Sequence, residues 1–142
     1  MEQEFPVPGY GDKYTVTADG KVFSYYGKNG SRRELKVNAQ RKHPHRPRLY
    51  RSVTLQIPGQ NKGHTLNLER ILVAAKLGRW LEPWEQVRHL DGNYENIHMD
   101  NLGAGCAVLN AIDDIELGTR DTSIEYVDEA IERLLAIKKA RG

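Results

Sequence analysis

The stretch Val87-Arg88-His89-Leu90-Asp91-Gly92-Asn93-Tyr94-Glu95-Asn96-Ile97-His98-Met99-Asp100-Asn101-Leu102, continued by Gly103-Ala104-Gly105-Cys106-Ala107-Val108-Leu109-Asn110, decides the reading of the chain. A short apolar approach ends on His89, a turn follows, and two asparagines come twelve and twenty-one residues after the histidine. An imidazole can take a proton from water near neutral pH. A carboxamide oxygen can ligate a hard cation such as Mg²⁺. A histidine flanked by carboxamides therefore suits hydrolysis of a phosphodiester. Taken alone, Asp91-Gly92-Asn93 is also an ordinary tight turn, since Gly and Asn tolerate positive φ.

Eight positions in register carry a resemblance: His89-x-Asp91-Gly92-Asn93, then Asn96, Asn101-Leu102 and Asn110. This pattern resembles the HNH nucleases, also called ββα-metal or His-Me finger nucleases, in the version found in phage homing endonucleases. The resemblance implies that His89 ends a strand and is the general base. It implies that Asn101 orients the site from the connecting loop, by holding His89 in its working tautomer or by pinning the loop. It implies that Asn110, on the following helix, binds a divalent metal ion, Mg²⁺ or Mn²⁺. Two positions depart from the family. Where it usually has Asp or Asn before the histidine, this chain has Arg88. Where it tends to have an aromatic after Asn-Leu, this chain has Gly103-Ala104-Gly105. A guanidinium offers only donors and cannot ligate a metal, but it can grip a phosphate. The missing carboxylate is then sought at Asp114, Asp91 or Asp113.

Upstream of the motif, Tyr14-Thr15-Val16-Thr17 alternates like a half-buried strand, Asp19-Gly20 signals a hairpin, and Lys21 to Ser24 resumes the strand. Pro8-Gly9-Tyr10, Tyr14, Val16, Gly20, Val22 and Ser24 resemble the small module that often precedes HNH in such enzymes. The two resemblances together span about residues 5–119.

Between them lies a basic segment. Lys28 to Arg51 holds nine Lys/Arg and one acid, Glu34, a net of +8 in a chain whose total is +2. Such clustering is expected of a surface that contacts a phosphate backbone. Arg32, Arg33, Lys36, Arg41, Lys42, Arg46, Arg48 and Arg51 are the candidate DNA contacts, and double-stranded DNA is the expected partner of a monomer or weak dimer. Glu34 to Val37 reads as a short strand and Arg41 to Arg48 as a proline-broken loop. Leu49 to Ile57 reads as a strand that returns antiparallel through His64 to Asn67.

Leu68 to Leu77 is the first helix. Asn67 caps it, Glu69 suits the positive end of its dipole, and Gly78 stops it. Leu68, Ile71, Leu72 and Ala75 form its apolar stripe. Related HNH proteins often have His-Arg where this chain has Glu69-Arg70. Trp80 and Trp84 read as packing residues in the connection to the motif. Val87 to Leu90 and Leu102 to Gly105 are the expected strands of the ββα unit. The second is weakened by its glycines. A helix from about Cys106 to Glu116 places Asn110 and Asp114 on one face, with Asp113 nearby. Thr122-Ser123-Ile124-Glu125 reads as a capping box. It opens a final helix to about Ala140, with Ile124, Val127, Ile131, Leu134 and Leu135 on one side.

The 142 residues suit one ordinary domain. The expected class is α+β: residues 1–66 a β-rich module with the basic segment, 67–119 the HNH unit, 120–142 a C-terminal helix. A single cysteine, Cys106, excludes an internal disulfide framework and a Cys-rich zinc site. No apolar run reaches the length of a membrane span and no signal-peptide pattern opens the chain. The expectation is a cytoplasmic, phage-encoded protein in a bacterial host. Its expected activity is metal-dependent nicking or cleavage of duplex DNA. The alternative is an HNH-fold module that binds DNA without cutting it.

Overall fold

A computed structural model describes residues 2–41, 44–45 and 48–142. It shows an α+β chain of small antiparallel sheets and helices. The first sheet is a meander of β1 (Glu4–Pro6), β2 (Tyr14–Thr17), β3 (Val22–Ser24) and β4 (Arg33–Glu34), paired in that order. The sequence reading lacked β1. Its Pro6 has no N–H to give a ladder, and β1 is accordingly an edge strand. The β2–β3 hairpin turns at Gly20, whose φ of 94° only glycine adopts readily.

The strand expected at Glu34 to Val37 ends at Glu34. The chain then crosses to a second sheet, β5 (Asn38–Arg41), β6 (Leu49–Gln56) and β7 (Gly63–Asn67), in that order. In β6 the register alternates as the sequence predicts: Val53 and Leu55 are buried, Thr54 and Gln56 exposed.

Helix α1 (Leu68–Leu77) organises the core. Asn67 caps it by accepting from the Arg70 N–H at 3.0 Å, and Gly78 closes it in the left-handed conformation. It buries more than the expected stripe, because Val73, Ala74 and the charged Glu69 are also inside. Around it pack Val7, Tyr14, Val16, Val22, Val53, Leu55, Met99 and Leu102, so both sheets and the motif share one core. Each fully buried aliphatic side chain of this set contributes about 1.5–3 kcal/mol.

Two devices bring the motif to this core. Arg79 grips Glu85 through Nη1 and Nη2, at 2.7 and 3.1 Å, while a Glu85 oxygen also accepts from the Glu82 N–H at 2.8 Å. That closes the turn before β8 (Gln86–His89). Lys76, in the last turn of α1, donates to the carbonyl of Leu102 at 2.9 Å, where β9 (Leu102–Gly105) begins. Trp80 donates to the Pro8 carbonyl at 2.8 Å, whereas Trp84 is exposed and packs no core.

Helices α2 (Ala107–Glu116) and α3 (Ile124–Arg141) complete the chain. The cap of α3 is Ser123, which accepts from the Tyr126 N–H, and not Thr122. The apolar stripe of α3 is exposed: no residue of the helix is buried, and Ile124, Ile131, Leu134 and Leu135 all face solvent. Among the described residues no helix is long and apolar enough to cross a membrane.

Candidate active site

Strands β8 and β9 pair antiparallel, Val87 opposite Ala104 and His89 opposite Leu102. The glycines that weaken β9 by propensity have a local use. A Cβ on Gly105 would lie 2.5 Å from the Arg88 side chain, so glycine lets that long stem cross the strand. Arg88 then donates through Nε and Nη2 to both Asp113 oxygens, at 2.8 and 2.7 Å. The Arg88 guanidinium holds the Asp113 carboxyl below the usual carboxylate range.

The loop after His89 is closed by its own side chains. Asn101 accepts from the Asp91 N–H at 2.9 Å and donates to Asp91 Oδ1 at 2.8 Å and to the Asn96 carbonyl at 2.9 Å. Asp91 also accepts from the Asn93 N–H and from Asn96 Nδ2, both at 2.8 Å. Hydrogen bonds from Asn96 and the Asn93 backbone, ahead of Asn101, lower the Asp91 pKa. At the loop's end the Met99 N–H donates to the Ala18 carbonyl at 2.7 Å, docking it on the β2–β3 hairpin.

His89 is only 7% exposed. Its Nε2 lies 3.9 Å from Glu69 Oε2, and the Tyr94 ring stands edge-on at 5.1 Å. Burial, and then the positive Arg48, lower its pKa; Asp91 opposes them weakly and Arg51 adds to the lowering. His89 is therefore a neutral imidazole at neutral pH. Glu69 moves the other way: burial raises its pKa, against the pull of Arg48 and Arg51.

A cavity of about 550 Å³ opens beside these groups. Its walls bring together His89 and Glu69, Asn110, Asp113 and Asp114 of α2, and Arg48, Arg70, Arg120 and Tyr94. Asn110 donates its amide to Gln86 Oε1 at 2.8 Å, which leaves its carboxamide oxygen as an acceptor. Asp114 lies 3.3 Å from the Arg120 guanidinium.

Three expected site residues have partners away from the cavity's open face. Arg88 is tied to Asp113 and does not line the cavity. Asp91 uses both oxygens within the loop and is also absent from the cavity wall. Arg51 points into the fold. It is largely buried, 3.7 Å from Glu69 and 3.0 Å from Glu95. Asn101 pins the loop and does not reach the imidazole. Of the remaining basic candidates, Arg33, Lys36 and Arg41 are exposed, and Arg32 lies over the Phe23 ring and 3.5 Å from Glu4. Arg48 stacks over Tyr94, its guanidinium carbon 4.3 Å from the ring centre. Lys42 and Arg46 lie outside the described residues.

Sequence reasoning missed Glu69. Its only signal was an acid in the first turn of α1, where a dipole-stabilising role explains it equally well. Tyr94 was missed too, as a loop aromatic with no periodic neighbour.

These shifts set a pH dependence of stability. His89 has a folded-state pKa below its unfolded one, so its contribution is complete above the unfolded value, near 6.5, and is lost as pH falls below it. Glu85, held at about 2 first by Arg79 and then by the Glu82 backbone, has the same sign in a lower window. Its contribution fades as pH falls from its ordinary value of 4.5 towards 2. The melting temperature should therefore fall in two stages between pH 7 and pH 2. A His89→Gln variant followed by circular dichroism should lose the upper stage and keep the lower. Persistence of the upper stage in that variant would assign it to another group.

No family model matches the chain, and no curated protein matches it. Among solved structures it is similar to one described as "DNA binding and cleavage by the HNH homing endonuclease I-HmuI". The TM-score is 0.60 at 24% identity, over 92% of this chain and 68% of that one. At that identity the likeness is one of architecture, and the chain has the fold of an HNH homing endonuclease.

Proposed function

We propose that the chain is a metal-dependent DNA endonuclease of the phage homing type that nicks or cleaves duplex DNA. The observation that carries this reading is His89. It is a buried imidazole kept neutral by its surroundings, at the end of β8, on the wall of a cavity it shares with Asn110 of α2. A neutral imidazole is the form that accepts a proton. In this reading His89 takes a proton from water, and the resulting hydroxide attacks phosphorus opposite the departing 3′ oxygen. The fold's solved relative binds and cleaves DNA, which supports the same substrate here.

Among the described residues, no three His, Cys, Asp or Glu side chains gather as a metal cage. Mg²⁺ does not require one. It is usually held by one or two protein oxygens and completed by water and substrate phosphate. The Asn110 and Asp114 oxygens, four residues apart on α2 and both on the cavity wall, fit that mode. A divalent ion held there would supply Lewis-acid stabilisation of charge on the phosphate. Asp113 is the weaker candidate, because Arg88 engages both its oxygens.

One observation favours a second reading, a module that binds DNA without cutting it. Arg88 stands where the family usually has Asp or Asn, and it pairs with Asp113. Incubation with supercoiled plasmid in Mg²⁺ or Mn²⁺ separates the two. Conversion to the open-circular form supports the endonuclease. A gel shift with no conversion in either metal supports the module.

The basic face is tested separately. Arg33, Lys36, Arg41 and Arg48 replaced together by Ser should weaken binding to every duplex alike. The slope of log affinity against log salt should flatten by about 0.9 for each phosphate that is no longer neutralised. A slope equal to the parent's would remove this face from the DNA interface. Monomer or weak dimer remains the proposed state of the DNA-bound chain.

A further inference from the structure

Among the described residues, three buried polar atoms in one place have no hydrogen-bond partner: Nη1 of Arg51, Oε1 of Glu69 and Nε2 of His89. They form a line. Arg51 Nη1 lies 3.7 Å from Glu69 Oε1, and Glu69 Oε2 lies 3.9 Å from His89 Nε2. Unpartnered buried polar groups are costly, and a row of them calls for an explanation. Neither gap admits a bridging water, since two hydrogen bonds of ordinary length at one oxygen need about 4.5 Å between their ends. The groups must therefore meet directly, by side-chain movement of about an ångström. Hydrogen bonds in unliganded active sites are commonly this long and tighten when substrate closes the site.

We propose that Glu69 is the positioning residue of the base: its carboxylate accepts the Nε2 proton of His89, leaving Nδ1 as the nitrogen that takes the proton from water. This rests on the endonuclease reading and adds a residue to it. A carboxylate only accepts, so an imidazole facing one carries its proton on that side. Arg51, against the other oxygen at 3.7 Å, favours the ionised form of Glu69 inside the fold. Both partners are more than nine-tenths buried, so neither bond competes with bulk water. Asn101 cannot serve this purpose, since its side-chain oxygen and amide are spent on Asp91 and Asn96. Once His89 has taken the second proton it is an imidazolium. The same carboxylate then stabilises that charge, which the nearby Arg48 and Arg51 oppose.

The test reads the imidazole itself. Nitrogen-15 NMR of the DNA-free chain at neutral pH should show His89 neutral and protonated on Nε2. Glu69→Gln should keep that tautomer, because a carboxamide oxygen still accepts. Glu69→Leu should let the proton distribute over both nitrogens. In plasmid nicking, Glu69→Leu should lower kcat about 10–10²-fold, the scale for partners that fix a functional histidine, with KM unchanged. Glu69→Gln should recover part of that loss. A proton on Nδ1 in the parent overturns the proposal, as does a Glu69→Leu variant with the parental tautomer and rate. If Glu69→Leu fails to fold, the parental tautomer still decides. If the parent cuts no DNA, the endonuclease reading fails while the NMR result stands on its own.

Discussion

Alanine at position 89 is expected to cut plasmid nicking by about 10²–10⁴-fold, the usual worth of a general base. Duplex affinity should be unchanged. The two effects separate because His89 is buried among Glu69, Tyr94 and Leu102, whereas the exposed cations lie on β4, β5 and the segments beside them. His89→Gln is the companion variant. It fills similar space and can hydrogen-bond, but it cannot take up a proton at neutral pH. If both variants are equally slow and both fold, the lost function is proton transfer. An alanine variant nicking at the parental rate would falsify the assignment and place the general base at another residue.

Asn101→Ala should have the second largest effect, on stability as well as on cutting. The side chain makes three hydrogen bonds that close residues 91–101 into one loop. At about 0.5–1.5 kcal/mol each, their loss should cost about 2–4 kcal/mol in total. For a chain of this size that is a fall in melting temperature of about 6–12 °C. The Leu90 N–H donates to the Asn101 carbonyl at 2.8 Å, so the loop's disorder reaches the end of β8 beside His89. Nicking should fall with it. Asn101→Asp should be no milder. It keeps an acceptor for the Asp91 N–H, but sets a carboxylate against Asp91 Oδ1 where an amide now donates. A melting point within about 2 °C of the parent for Asn101→Ala would show that other interactions hold the loop.

Local chemistry was legible in the sequence. Helix α1 begins and ends at the residues its Asn67 cap and Gly78 stop dictate, and β9 falls on Leu102 to Gly105 despite its two glycines. The HNH pattern brings His89 and Asn110 to one cavity although they are 21 residues apart. What was illegible depends on partners distant in sequence. Nothing local says that Arg88 will spend its charge on Asp113, because the pair forms only once α2 packs on β8. Asp91 reads equally as a metal ligand or a turn residue until Asn96 and Asn101 are seen to surround it. Arg51 sits in a run of cations and shares their composition. The pleat of β6 turns it inward with Val53 and Leu55, to meet an acid 18 residues further on. Periodicity found the apolar stripe of α3 but could not say whether anything covers it.

That uncovered helix bears on what a measured stability of this chain means. Helix α3 supplies 18 residues, α1 and α2 ten each, so nearly half of the α-helix lies in this one uncovered segment. A helix of that length without tertiary packing is held only by its caps and its propensity, and is marginal in water. Its opening and closing need not wait for the core to open. Far-ultraviolet ellipticity on heating is then a sum of a gradual helix–coil change in α3 and a sharper loss of α1 with the sheets. Fluorescence of Trp80, which packs against the core, follows the second event alone. The two transition curves differ without any folding intermediate, and no single unfolding free energy describes the whole chain.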